Sequence, residues 1–438
     1  MNSFLAAFLS LVTLVWALDL PPTPAGVALP WALRQHALHL TGLWSFSLLS
    51  LAILLATRPT WLERPLGGMD RLYRLHKCAG IVAIGFAALH WLVELSDDAI
   101  RALFGREGRL PKAHDTGLVE AMRDAAEGFG EWAIYALLAM LALTLWKRFP
   151  YRPWRQLHRI MPTLYVMLAM HAAFLAPTDY WAGTTGLLLA VLIAAGTASA
   201  VQSLAGRVGR ARQVGGTIES VREPAPGLTE VVCRLDRGWR GHESGQFAFA
   251  SFDRSEGAHP FTIARADRGD GRVTFQIKAL GDYTRGLAAR LRPGQPVTIE
   301  GPYGRFDHRR AARGSAQIWI AGGIGVTPFL AWLEALAAAP QDVPHADFYY
   351  CTPRRADDPF VPRLEALCAQ LPTIRLHVLS ADRDERLSAR TLQGALPDGA
   401  AAEIWFCGPR HFADALRHGF RELGARRVRF HQEAFELR

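Results

Sequence analysis

LHKCAGIVAIGFAALHW at residues 75–91 and HRIMPTLYVMLAMH at residues 158–171 set the architecture of this chain. Each is an apolar run with a histidine near either end: His76 and His90 in the first, His158 and His171 in the second. The members of the two pairs are 14 and 13 residues apart. At ~1.5 Å of helical rise per residue these are roughly 21 and 20 Å, enough to bring one histidine near each side of a bilayer. Fourteen residues at ~100° fall roughly 40° short of four turns, so His76 and His90 share a helix face. Thirteen fall roughly 140° short, which a straight helix does not forgive. Pro162 lies between His158 and His171 and removes a helix hydrogen bond, so a kink is expected to turn both rings to one side.

Six apolar stretches occupy residues 1–205, at about 3–19, 32–56, 73–95, 130–147, 158–176 and 181–204. Residues 213–438 instead alternate short apolar runs with Gly, Pro and charge. The 438 residues therefore read as a membrane domain followed by a soluble α/β region. Basic residues crowd the connection after the second stretch (Arg58, Arg64, Arg71, Arg74, Lys77) and after the fourth (Lys147, Arg148, Arg152, Arg155, Arg159). Arg207, Arg210 and Arg212 follow the sixth, whereas the loops at 20–31 and 177–180 have no Lys or Arg. By the positive-inside rule both termini and the soluble half are cytoplasmic. Met1–Phe4 offers no basic start and no small-x-small site precedes Pro21, so the first stretch reads as an uncleaved span. Much of the +9 net charge lies in these loops and points to anionic lipid, not nucleic acid. Cys78, Cys233, Cys351, Cys368 and Cys407 all fall on the inferred cytoplasmic side, so no disulfide is expected.

A single histidine in an apolar helix most often bonds a neighbouring carbonyl. Two matched pairs point instead to metal or haem. Neighbouring Cys, Asp or Glu at ligand spacing is absent, which argues against a zinc or carboxylate-bridged site. Two haems, each held by one imidazole from each helix, satisfy the pattern. His76 then pairs with His158 near the cytoplasm, and His90 with His171 near the outside. His36, His39 and Arg34 lie near the outer surface, either touching a haem propionate or acceptor or simply interfacial.

From residue 213 strand-like runs appear at 216–221, 228–235, 246–251, 273–279 and 296–300, with a hairpin signal at Asp270–Gly271. An antiparallel barrel of about six strands fits. His259–Pro260–Phe261–Thr262–Ile263–Ala264 reads alone as a short strand opened by proline. Gly281–Asp282–Tyr283–Thr284–Arg285–Gly286 opens a helix expected over Leu287–Leu291, whose amides and Arg285 would attract phosphate. Gly301–Pro302–Tyr303–Gly304 is a tight turn at the end of the barrel.

A βα alternation follows. Strand Gln317–Ala321 runs into Gly322–Gly323–Ile324–Gly325–Val326–Thr327–Pro328–Phe329 and a helix to about Ala338. Glycines admit a pyrophosphate and an early proline suits a helix start, although Pro328 replaces the third glycine of the dinucleotide fingerprint. Arg354 and Arg355 after the strand Ala346–Tyr350 suit a 2′-phosphate, hence NADPH over NADH, with NADH left open by Asp357 and Asp358. Strand Glu403–Cys407 ends at Gly408–Pro409, where Cys407 stands at a ligand-binding strand end.

Taken in order, these motifs resemble the ferric reductase and NADPH oxidase family, and the resemblance covers nearly the whole chain. It implies a six-helix transmembrane di-haem bundle at 1–206, an antiparallel β-barrel FAD domain at 207–310 and an α/β Rossmann-like NAD(P)H domain at 311–438. FAD is implied against His259, Pro260, Phe261 and Thr262, its pyrophosphate near Tyr283, Thr284 and Arg285. Nicotinamide dinucleotide is implied on Gly323, Gly325, Thr327 and Pro328, with Cys407 and Gly408 near the nicotinamide. Phe435 is the aromatic implied to cover the flavin, although three residues follow it. Thr262, Cys407 and Phe435 would then frame hydride transfer. Neither an EF-hand calcium loop nor a Pro-rich docking tail is present, so no obligatory regulatory subunit is expected. The implied activity is electron transfer from NADPH through FAD and two b-type haems to an outside acceptor: dioxygen foremost, otherwise ferric chelate, quinone or a partner reductase. A haem carrier or sensor leaves the flavin–nicotinamide module unexplained.

Overall fold

The computed structural model describes residues 2–20, 22–109, 116–146, 148–253, 256–383, 386–396, 401–425 and 427–433. The chain divides into two compact units, residues 1–208 and 209–437.

The first unit is built from α1 (Asn2–Leu18), α2 (Leu29–Ala56), α3 (Thr60–Leu66), α4 (Met69–Leu95), α5 (Asp97–Phe104), α6 (Leu118–Leu145), α7 (Tyr151–His158), α8 (Met161–Leu175) and α9 (Thr184–Leu204). Among the described residues four helical segments, Leu29–Ala56, Arg71–Leu95, Leu118–Leu145 and Thr184–Leu204, are long and apolar enough to cross a membrane. The other two expected spans are shorter. α1 has 17 residues, and the stretch expected at 158–176 is broken between α7 and α8, leaving α8 with 15. Pro162 sits in the first turn of α8, where its missing N–H has no helical partner to lose, so the proline starts a new helix instead of bending an old one. α6 also begins well before the expected residue 130, because Glu120, Arg123, Asp124 and Glu127 continue the helix beyond its apolar run.

α2 packs against α1, α4, α8 and α9. In an apolar medium, small residues and side-chain hydrogen bonds join helices. Ser45 donates to the Ala83 carbonyl at 3.0 Å, and the Tyr165 hydroxyl donates to the Leu192 carbonyl at 2.9 Å while contacting Ser50 at 2.8 Å. A β-carbon at Gly196 would stand 2.0 Å from the Tyr165 hydroxyl, so glycine is what lets α8 and α9 close on each other.

The second unit carries two sheets. β1 (Gln213–Ala225), β2 (Leu228–Leu235), β3 (Phe247–Ser251), β4 (His259–Thr262), β5 (Arg272–Lys278) and β6 (Pro296–Tyr303) form an antiparallel sheet in the order β4-β3-β6-β1-β2-β5. An antiparallel bridge between Ile263 and Phe275 joins the two edges and closes the barrel. α10 (Leu287–Arg290) plugs its end with buried Leu287. β7 (Ala316–Gly322), β8 (Ala346–Thr352), β9 (Ile374–Ser380), β10 (Ala402–Cys407) and β11 (Val428–Glu433) form a parallel sheet ordered β11-β10-β7-β8-β9. α11 (Thr327–Ala338), α12 (Val361–Cys368), α13 (Ala389–Gly394) and α14 (Arg410–Glu422) provide its helices. Its inner strands β7, β8 and β10 are mostly apolar and buried, as cover on both faces requires, whereas the edge strands β9 and β11 alternate with polar residues. Barrel and parallel sheet meet at an aromatic cluster in which Phe306 stacks on Trp332 at 4.8 Å and Trp332 donates to the Ser244 carbonyl at 3.1 Å.

Candidate functional site

The four histidines come together as two pairs. His76 and His158 have ring centroids 6.1 Å apart, and His90 and His171 6.2 Å apart, with ring planes at 86° and 85°. The break between α7 and α8 accomplishes what a straight helix with 13-residue spacing does not. Two metal–imidazole bonds of ~2.0 Å plus ~1.1 Å from each ligating nitrogen to its ring centroid total ~6.2 Å, so the spacing fits one metal ion between each pair. Among the described residues no cluster of three or more His, Cys, Asp or Glu is found, so each pair offers two imidazole ligands by itself.

Three rings are fixed by carbonyls. Nδ1–H of His76 donates to Ala52 at 2.8 Å, that of His90 to Leu38 at 2.9 Å, and that of His171 to Ala126 at 2.9 Å. A proton on Nδ1 leaves the Nε2 lone pair available as a ligand. Two glycines make room: a β-carbon at Gly42 would lie 3.0 Å from the His90 ring, and one at Gly130 would lie 2.5 Å from the His171 ring. Sequence reading missed both. The available signal was a glycine facing each histidine from a neighbouring apolar helix, and pairing the helices requires the fold. Arg34 donates to the Glu94 carboxylate at 3.1 Å and lies 3.9 Å from Asp97, while His39 contacts Gln35 at 2.9 Å and the Tyr180 hydroxyl at 3.3 Å.

In the second unit, His259 of β4 stacks on Tyr283 with centroids 3.9 Å apart and planes 9° apart. Burial pushes the Tyr283 phenol up to about 12. Pro260 and Phe261 continue β4, and buried Thr262 donates to Glu433 at 3.5 Å. Glu433 lies level with Cys407 in the β10–β11 register. Burial, then the Glu433 charge, pushes the Cys407 thiol well above its ordinary value. Sequence reading did not single out Glu433, whose neighbours across the sheet are distant in the chain. The helix expected over Leu287–Leu291 is present but short. The helix after Gly286 is the single turn Leu287–Arg290, and the Thr284 hydroxyl already accepts the Leu280 and Gly281 amides at 3.0 Å each. Arg285 is exposed and lies 3.6 Å from Asp282.

The parallel sheet reverses direction of winding between β7 and β10, the switch point where ligands bind in open α/β sheets. Glycines line it. A β-carbon at Gly325 would stand 2.2 Å from the Cys407 carbonyl, and one at Gly408 would stand 3.1 Å from the Gly322 amide. Gly323 adopts φ +54°, Thr327 donates to the Ile324 carbonyl at 3.2 Å, and Pro328 occupies the first turn of α11. Arg354 pairs with Asp357 at 3.2 Å and Arg355 with Glu365 at 2.6 Å, both at the surface. Asp358 instead turns toward Tyr350 and Thr352, at 2.7 and 2.5 Å. Phe435 lies outside the described residues.

Residues 41–169 match the ferric reductase like transmembrane component family, residues 229–307 an FAD-binding domain family, and residues 319–418 the oxidoreductase NAD-binding domain family. The chain thus joins, in this order, a ferric reductase-type transmembrane component to FAD-binding and NAD-binding oxidoreductase domains. Its second half carries the module of an NAD(P)H-dependent flavin oxidoreductase of the ferric reductase type. It is 30% identical over 185 residues to the NADPH oxidoreductase of Mycobacterium tuberculosis, covering 41% of this chain and 47% of that one. It is 26% identical over 198 residues to the toluate 1,2-dioxygenase electron transfer component of Pseudomonas putida, covering 44% and 58%. The chain thus spans about half the length of the curated relatives it matches. A flavohemoglobin from Malassezia yamatoensis shares its fold with a TM-score of 0.50 at 16% identity, covering 94% of this chain and 100% of that one.

Proposed function

We propose that this chain carries electrons from cytoplasmic NADPH to dioxygen at the opposite face of a membrane, releasing superoxide. The observation that carries the reading is the pair of imidazole couples at 6.1 and 6.2 Å, three of the four rings held with Nε2 free to ligate. His76 with His158, and His90 with His171, would each hold one b-type haem, within a six-helix di-haem bundle at residues 1–206. FAD would lie against His259, Pro260, Phe261 and Thr262 of the barrel at 207–310, its pyrophosphate near Tyr283, Thr284 and Arg285. NADPH would lie on Gly323, Gly325, Thr327 and Pro328 of the domain at 311–438, its 2′-phosphate at Arg354 and Arg355, with Cys407 and Gly408 beside the nicotinamide and Phe435 over the flavin. Bound there, the flavin supplies the conversion of a hydride into single electrons and the haems supply one-electron couples.

The chain's own residues do the rest. The glycines of the switch point let a dinucleotide reach the Cys407 strand end, and Cys407 stays a neutral, compact thiol there. Thr262 and Glu433 tie barrel to parallel sheet through their hydrogen bond, fixing the two binding surfaces relative to each other. The basic loops at 57–77 and 147–159 support cytoplasmic placement of the module. Arg34 is already neutralised by Glu94 and Asp97, which suits a neutral acceptor such as dioxygen better than an anionic ferric chelate. Ferric-chelate reduction is the second reading, favoured by the family match over residues 41–169.

NADPH oxidation by purified protein, with and without oxygen and with ferric citrate, separates these readings. Superoxide-dismutase-sensitive cytochrome c reduction is expected. Full-rate ferrous formation without oxygen, and no dismutase-sensitive signal, would overturn dioxygen as acceptor. A reduced-minus-oxidised spectrum without haem bands would overturn the di-haem reading.

A further inference from the structure

His158 is held differently from the other three imidazoles. His76, His90 and His171 each donate Nδ1–H to a helix carbonyl. Nδ1 of His158 is buried and meets no hydrogen-bond partner among the described residues. Its ring instead lies against the Trp154 indole, with centroids 5.0 Å apart and planes 15° apart. Trp154 stands one helical turn earlier on α7, where side chains four apart share a face. The indole is itself fixed. Its N–H donates to the Thr144 hydroxyl of α6 at 3.0 Å, its side chain is buried, and Tyr151 stacks on it in turn at 5.7 Å and 27°. Tryptophan therefore reaches His158 as a clamped plate.

We infer that Trp154 is the positioning residue of the His76–His158 pair, orienting by ring stacking what a carbonyl orients at the other three, and that the two imidazole pairs are consequently unequal in electron affinity. The inference rests on the haem reading. An Nδ1–H···O=C bond raises the basicity of the ligating nitrogen, and a more basic ligand favours ferric iron. The His90–His171 pair has two such bonds and the His76–His158 pair has one. The His76–His158 site is therefore the higher-potential site, and its occupancy depends on Trp154. Opening the stack lets water reach Nδ1, which supplies the missing hydrogen bond and lowers that potential.

The test uses the full-length protein with Trp154→Ala, Trp154→Phe and Thr144→Val, reading haem per chain and spectroelectrochemical midpoint potentials. Trp154→Ala is expected to weaken haem binding at one site by about 10- to 100-fold, so that dialysis takes the protein from two haems toward one. The surviving component keeps the lower wild-type potential, and any haem retained at the altered site titrates lower than before. Trp154→Phe preserves a stacking ring and keeps two haems. Thr144→Val removes the indole hydrogen bond but not the stack, and also keeps two. Both haems retained in Trp154→Ala at unchanged potentials would overturn the inference, as would parallel loss of both. It also fails if Trp154→Phe or Thr144→Val behaves like Trp154→Ala. A wild-type protein without haem overturns the haem reading itself, a result visible before any variant is made.

Discussion

Gly130→Ala is expected to empty the His90–His171 site, whereas Gly128→Ala on the same helix leaves it intact. A methyl group at Gly130 would lie 2.5 Å from both Cε1 and Nδ1 of His171, while one at Gly128 meets nothing within 4 Å. Non-bonded carbon contacts settle near ~3.5–4.0 Å, so the ring must retreat by about 1 Å. The Nδ1–H bond to Ala126 is 2.9 Å long, and such a retreat stretches it beyond useful length. Leaving a buried donor unmade costs ~1–3 kcal/mol. At ~1.4 kcal/mol per tenfold, that is about 5- to 100-fold in haem affinity. The helix itself does not suffer, because alanine is preferred over glycine in a helix interior by ~0.8–1 kcal/mol. Gly130→Ala should therefore still fold with a cooperative melt after haem is removed, yet bind one haem where Gly128→Ala binds two. Pyridine haemochrome counts against protein concentration, with thermal melts in detergent, read both quantities. Two haems and an unaltered reduced spectrum in Gly130→Ala would refute the steric argument.

Gly325→Ala forces a methyl to within 2.2 Å of the Cys407 carbonyl, so stopped-flow flavin reduction by NADPH should fall at least about tenfold with haem content unchanged. Cys407 keeps its proton in the folded state above the ordinary thiol value of ~8.5, while the unfolded chain releases it, so stability should fall as pH rises past that point. Melts of Cys407→Ala between pH 8 and 10 should show a shallower decline than wild type, and iodoacetamide should not label Cys407 at the lower pH. His308, packed against Trp319 and Trp332, is pushed down to about 4 by burial. The unfolded chain takes up that proton near ~6.5, so its stabilisation is complete above ~6.5 and is lost as pH falls to about 4, a change of about 3 kcal/mol. Acid melts of His308→Leu should lack this part of the decline.

The order of the chemistry was legible in the linear chain because it is written in local spacing. Histidines at either end of apolar runs, His259–Thr262 on a strand, glycines between a strand and a helix, and Cys407 at a strand end all depend on near neighbours. Strand and helix types followed from alternation and apolar length, and the switch-point position of Cys407 followed from βα alternation. Local signals failed where a boundary depended on competing terms. Polar residues extended α6 past its apolar run, Pro162 started a helix where a kink was expected, and the Thr284 hydroxyl closed the turn at 280–284 ahead of Gly286.

Contacts distant in sequence required the folded chain. Spacing nominates His171 as a ligand, but only helix packing brings Gly130 beneath it and the Ala126 carbonyl to its Nδ1. Glu433 acquires meaning only when β11 lies beside β10 and meets Thr262 of the barrel. Trp154 and His158 are close in sequence, yet the asymmetry of their site appears only beside the three carbonyl-held rings. Periodicity reports which face a residue occupies. What faces it from another element depends on packing, where glycine positions and single carbonyls govern approaches of a few tenths of an ångström.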